Sequence, residues 1–278
     1  MYNTPFFGGM DMGISKKVLT RIAAELKKYQ PVLADAKRRD ISESDTVVII
    51  TDMLADVLGY DKYQEITSEF AIRGTYVDLA VRVGRDIRFL VEVKSIGTEL
   101  KDAHVKQAID YGANQGIEWA ILTNGVNWRI YRILFKQPIE KTLIFEADLS
   151  TLNLKDDDAL TCIGTLSREG FTQSSMDALA QQKQATNKFT VAAILLSDPV
   201  IMMARRELRR LYPAVRIDED VLRSVIADEA LKRDVVDGDD AKVAQDEIKR
   251  AAKSARRQKA KAAAATESAK TNSAPAPT

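Results

Sequence analysis

The sequence predicts a mixed β-sheet flanked by helices, an α+β or α/β arrangement, followed by an all-helical C-terminal region. Three observations point there. Two stretches with apolar residues at helical spacing open the chain. Between Glu65 and Glu146 the hydrophobic period shortens to that of strands, with one helical stretch inside, and after Asp148 helical patterns return and persist.

Taken in order, Ile14 to Tyr29 places Val18, Ile22 and Leu26 on one helical stripe with Leu19 and Ala23 beside it. Pro31, which has no amide hydrogen, is expected to end that helix. Ser42, Ser44 and Asp45 are candidate caps for a second helix through Val47, Ile50, Met53, Leu54, Val57 and Leu58, closed by Gly59. TYVDLAVRV and IRFLVEVK read as strands joined at Gly84-Arg85-Asp86. A helix from Lys101 to Gln115 comes next, then strands EWAILT, NWRIYRILF and KTLIFEA, the first two separated by a turn over Thr123 to Asn127. The predicted order is α-α-β-β-β-α-β-β-β. Beyond it, Asp157 to Arg168, Ser174 to Leu196, Pro199 to Leu211, Asp218 to Lys232 and Asp239 onward read as helices, and an Ala/Ser/Pro-rich tail starts near Lys259. The expected divisions are 1–40, 41–148, 149–258 and a disordered 259–278.

With 278 residues, 45% of them hydrophobic, the chain can bury one substantial core and a second small module. It has no apolar run long enough for a membrane span, and its first residues, MYNTPFFGGMDMG, do not suit secretion, so the expected location is cytoplasmic with no membrane partner. One Cys (Cys162) and one His (His104) exclude an internal disulfide and a Cys/His zinc site, and any histidine-based hydrolysis would have to run through His104 alone. The net charge of +1 hides a run from Lys249 to Lys261 with seven cations and no acid, either a polyanion contact or a solvated Lys/Ala-rich helix.

One group of charges interrupts a core strand. Glu92 and Lys94 leave the same face of their strand, while Phe89, Val91 and Val93 leave the other. If Gly84-Arg85-Asp86 is a three-residue loop, Val83 faces Ile87 and Asp78 falls opposite Glu92; a two-residue loop puts the two acids on opposite faces. Carboxylates about 5 Å apart at the Cβ atoms repel unless a cation stands by. Lys94 supplies one charge, and a hard divalent cation such as Mg²⁺ would resolve the rest. The plainer reading is a solvated strand face bearing ordinary ion pairs.

Asp78 followed by Glu92-Val93-Lys94 on the next strand resembles the signature of the PD-(D/E)xK nuclease superfamily. Gln107 and Tyr111 then make a QxxxY pattern on one helix face, and EWAILTNGVNWRIYR is similar to the segment after that helix in the N-terminal nuclease domain of type I restriction enzyme R subunits. The likeness spans about residues 40 to 148, including SESDTVVIITDMLADVLGY. It departs from the family in having Gly74-Thr75-Tyr76-Val77 before Asp78, with no Pro, and in lacking any GxxxxGK[ST] phosphate loop. The resemblance therefore implies a stand-alone, restriction-endonuclease-like nuclease domain with no helicase motor and no use of ATP.

The resemblance further implies that Asp78, Glu92 and the main-chain carbonyl of Val93 hold Mg²⁺ or Mn²⁺, and that Lys94 positions the attacking water or stabilises developing charge. Gln107 and Tyr111 would support Lys94 or touch the DNA backbone, Tyr111 equally well serving to cover the sheet. An additional acid would come from Glu43, or from Glu69 on the next strand, Glu43 otherwise complementing a helix dipole. His104 reads as a helix residue, Trp119 and Trp128 as packing, Cys162 as a small core residue. The implied activity is phosphodiester hydrolysis in DNA, leaving 5′-phosphate ends, in restriction, defence or repair, alone, as a homodimer or with other subunits. The alternatives are a DNA-binding or assembly module that depends on partner subunits, and a helical scaffold with a vestigial sheet.

Overall fold

The computed structural model describes residues 12–72 and 75–271, and the chain divides into two compact units, Met1–Lys183 and Gln184–Thr278. In the first unit, helices α1 (Lys16–Arg39) and α2 (Glu43–Asp56) precede strands β1 (Ile66–Ile72), β2 (Thr75–Val83) and β3 (Asp86–Val93). Helix α3 (Lys106–Gln115) leads to β4 (Trp119–Thr123), β5 (Asn127–Leu134) and β6 (Glu140–Asp148), in the expected order. The strands form one mixed sheet in sequence order, antiparallel throughout except between β3 and β4. α3 accounts for that exception, because a parallel return needs a crossover.

Two apolar cores hold the sheet. The larger takes Leu79, Val81, Phe89, Val91 and Val93 from β2 and β3 and packs them with residues of α1 and α2. The smaller lies under α3, where Ala108, Ile109 and Tyr111 meet Val77, Ala80, Leu90 and Leu122. Helices α4 (Asp157–Thr165), α5 (Arg168–Thr172) and α6 (Ser175–Ala185) add Leu160, Cys162, Phe171 and Leu179 to the larger core. The spatial division therefore falls well after the change of sequence pattern at Asp148. Cys162 and Trp128 are core residues, as expected, and Trp119 is buried at 5% exposure.

Three elements depart from expectation. α1 does not stop at Pro31 but contains it, because Leu33 and Ala36 continue the buried stripe of Val18, Ile22 and Leu26, and their burial outweighs the lost backbone bond. α3 begins at Lys106 rather than Lys101, since the chain before it is held in a turn: the Lys101 amide donates to His104 Nδ1 at 3.2 Å, and Asp102 accepts from the Tyr131 hydroxyl at 2.9 Å. The expected helix from Ser174 to Leu196 is broken at Asn187, whose side chain accepts the Thr190 amide at 2.8 Å and starts a new helix.

The second unit is helical: α7 (Lys188–Leu195), α8 (Asp198–Leu211), α9 (Glu219–Val225), a π-helical turn (Ile226–Ala230), α10 (Arg233–Val236) and α11 (Asp239–Thr271). α11 carries the basic run, with residues 249–255 exposed, and stays helical through the segment from Lys259 that was expected to be unstructured. Its Ala and Lys content favours that conformation. The tail 272–278, the start 1–11 and Gly74 lie outside the described residues. Among the described residues no helix is long and apolar enough to cross a membrane.

Candidate active site

The site sits at the end of β3, and its geometry depends on how β3 pairs with β2. The hairpin turn has two residues, Gly84 and Arg85, since Val83 pairs with Asp86 and Arg82 with Ile87. Gly84 adopts φ 68, a left-handed conformation in which a Cβ would be strained. This corrects the three-residue loop, and by itself such a turn would separate the two acids. A β-bulge restores them: Arg82 pairs with Ile87 but Val81 with Phe89, leaving Arg88 as an extra residue. The register then runs through Ala80↔Leu90 to Leu79↔Val91, and continued by one residue it would set Asp78 against Glu92.

The larger core selects this register. Without the bulge, Val81 would face Arg88 and Leu79 would face Leu90, which pulls an arginine toward the core and a leucine away from the smaller one. A second irregularity lies on the other side of β2. The β1 pairing passes from Ser68↔Leu79 to Phe70↔Val77, with Glu69 between them at φ 47. Val77 enters the smaller core while Leu79 enters the larger, so β2 is rotated at Asp78. The Asp78 carboxylate is thereby free to turn toward β3, where its Oδ2 accepts the Val93 amide hydrogen at 2.7 Å.

Glu92 is 9% exposed, and its Oε1 accepts from Lys94 Nζ at 2.9 Å. Glu43, the first residue of α2, brings its Oε2 to 3.6 Å from the same Nζ. Two carboxylates thus lie within ion-pair distance of one ammonium, and the charge of Asp78 acts on it from farther away. Burial raises Asp78 above the usual carboxylate range, partly opposed by the Val93 amide and by Lys94. Burial likewise raises Glu92, against the Lys94 hydrogen bond. For Lys94 burial pulls down, but Glu92, Glu43 and Asp78 together outweigh it and hold the amine above its ordinary value.

No protein-family model, curated protein or solved structure matches the chain. What the site can do is therefore read from its own groups.

Asp78 and Glu92 each engage one oxygen, and among the described residues Asp78 Oδ1 and Glu92 Oε2 carry no hydrogen bond. Two half-desolvated carboxylates with one open oxygen each suit a hard cation that keeps most of its positions for water and phosphate. Among the described residues no three or more His, Cys, Asp or Glu side chains gather in metal-holding geometry, so any such ion would depend on these two and a main-chain donor such as the Val93 carbonyl.

The supporting residues fall differently. Gln107 reaches β2 rather than Lys94: its Nε2 donates to the Tyr76 carbonyl at 2.8 Å, two residues before Asp78, and fixes α3 on that strand. Tyr111 lies in the smaller core edge-on to Phe70, with ring centres 6.4 Å apart, the covering role rather than a contact with Lys94. Glu69 is exposed and His104 is tied to the turn before α3.

A residue that strand patterns did not single out is Asn124, which is 4% exposed. Its Nδ2 donates to the carbonyls of Ile96 and Thr98 at 3.3 and 2.9 Å, and its Oδ1 accepts the amides of Val126 and Asn127 at 3.1 and 2.7 Å. It ties the β4–β5 turn to the loop after Lys94. The signal was present as an Asn-Gly turn, but a turn pattern does not tell which distant carbonyls its side chain will meet.

Proposed function

We propose that this chain is a metal-dependent deoxyribonuclease with a restriction-endonuclease-like core, hydrolysing DNA phosphodiester bonds at Asp78, Glu92 and Lys94, with Mg²⁺ or Mn²⁺ as cofactor and restriction, defence or repair as the setting. The observation that supports it is the gathering of Asp78, Glu92, Glu43 and Lys94 at one strand end, with two carboxylate oxygens left open. Three acids against one ammonium repel a phosphodiester, so the site can accept DNA only with an added cation. Asp78 and Glu92 would hold it with the Val93 carbonyl. A divalent cation bound there supplies Lewis-acid polarisation of the phosphate and a water of lowered pKa.

Lys94 acts on the other side of the phosphate. Glu92 takes one of its three N–H donors, leaving others for a phosphate oxygen as negative charge grows. Its raised pKa keeps it protonated at neutral pH, so its work here is electrostatic and it is a poor general base. Glu43 steadies the ammonium from α2, and Gln107 positions the strand that carries Asp78.

Supercoiled plasmid incubated with the protein and Mg²⁺ or Mn²⁺ tests this reading. Nicking should require the cation and fall about 10²–10³-fold in Lys94→Ala, the loss typical of removing one charge-stabilising donor. Equal nicking by Lys94→Ala would assign the activity elsewhere. Protein that binds DNA without cutting it under either metal would support the partner-dependent module instead.

A further inference from the structure

The second unit carries a surface that the nuclease reading does not use. On α8, Ile201 is fully buried, while Met202 and Met203 point outward at 59% and 53% exposure. Arg206, Arg209 and Arg210 follow on the same exposed side. A cleft of about 570 Å³ opens here between α8 and Glu219 of α9, with both methionines, Arg205, Arg206 and Arg209 in its lining. The apolar surface continues to the helix end, where Leu211, the last residue of α8, and the capping Tyr212 are 65% and 58% exposed.

Charge narrows the choice of occupant. Arg205 pairs with Glu219, and Glu207 is shared by Arg206 and Arg210 at 3.6 and 3.1 Å. Among the described residues Arg209 has no carboxylate within ion-pair distance, and four arginines stand against two acids. The occupant must bring negative charge. A nucleic acid backbone would satisfy the arginines but gain nothing from two open methionines, whose adaptable side chains suit apolar partners. A second copy joined symmetrically through this face would set arginine against arginine. An apolar floor beside a basic rim is the complement of a helix with an apolar stripe flanked by Asp or Glu.

We propose that the α8–α9 cleft docks an acidic amphipathic helix of a partner protein, its apolar side chains on Met202 and Met203 and its carboxylates on Arg206 and Arg209. This surface is independent of the Asp78/Glu92/Lys94 site.

A displayed library of random 16-residue peptides, selected on the full chain, provides the test. Selection should enrich sequences with apolar residues at i, i+3, i+4 and i+7 flanked by acids. A synthetic peptide carrying the enriched sequence should lose about tenfold or more in affinity toward Met202→Asp/Arg209→Glu, about 1.4 kcal/mol. Circular dichroism melts confirm that this variant is folded, and Arg209→Lys should retain most of the affinity. Enrichment of basic sequences, or equal affinity for the double variant, would overturn the proposal. So would binding of poly-glutamate as tight as that of the selected peptide, or sedimentation showing a dimer that the double variant dissociates.

Discussion

Asp78 and Glu92 lie above the ordinary carboxylate range because burial strips water from both charges faster than Lys94 and the Val93 amide can compensate. The native state then binds more protons than the unfolded chain between the ordinary carboxylate value and the raised one, so stability falls as pH rises through that window. Asp78→Asn removes the charge and keeps an oxygen for the Val93 amide. Without added cation, the variant should melt above the parent at neutral pH, and the difference should vanish below the ordinary carboxylate range. The parent's rise in Tm on adding Mg²⁺ or Mn²⁺ should be lost in the variant. Melting curves with and without metal across pH check both, and an unchanged metal response would remove Asp78 from the ligand set. At this scale the three charged residues were legible as a group, because period-2 alternation puts Glu92 and Lys94 on one face. The roles of Gln107 and Tyr111 were not, since a helix pattern fixes a face but not what that face meets.

Among the elements, the β2–β3 hairpin reaches its register through a bulge rather than through its turn. The turn is one residue shorter than the count assumed, and the Arg88 bulge supplies the missing step. Because the core pairs Val81↔Phe89, Ala80↔Leu90 and Leu79↔Val91 set the register, deleting Arg88 should leave them in place and simply remove the bulge. We expect that deletion to preserve metal-dependent nicking to within a few-fold, and loss of nicking with an intact fold would show that the bulge itself shapes the site. α1 presents the opposite case, in which local chemistry loses to packing. Pro31 denies α1 one backbone bond, while Leu33 and Ala36 beyond it are fully buried. Pro31→Ala should therefore stabilise the fold by about 1–3 kcal/mol, read as a higher denaturant midpoint at unchanged m-value. A variant no more stable than the parent would mean that a bend at Pro31 is needed for packing.

At the scale of the molecule, the first unit contains the whole sheet, both of its cores and every residue of the candidate site. The core members from α4 to α6 end at Ala180. A chain ended after Thr186 should consequently melt in one cooperative transition and keep its metal-dependent nicking. Nicking lost from a fragment that still melts cooperatively would assign the second unit a part in the chemistry. The same fragment lacks α8, so peptides selected on the full chain should not bind it.

Residue order was enough to specify the succession of helices and strands, the helical character of the C-terminal region and the company of Asp78, Glu92 and Lys94. Each of these rests on periodicity or on residues close along the chain, which act locally. Only packing in three dimensions carried α1 through Pro31, drew Asp78 toward Glu92 by a bulge, joined α4 to α6 to the sheet's core and brought Asn124 to steady the loop after Lys94. Those outcomes are settled by burial and hydrogen bonding between distant segments, whose free energies exceed the local preferences of a proline, a turn or a loop.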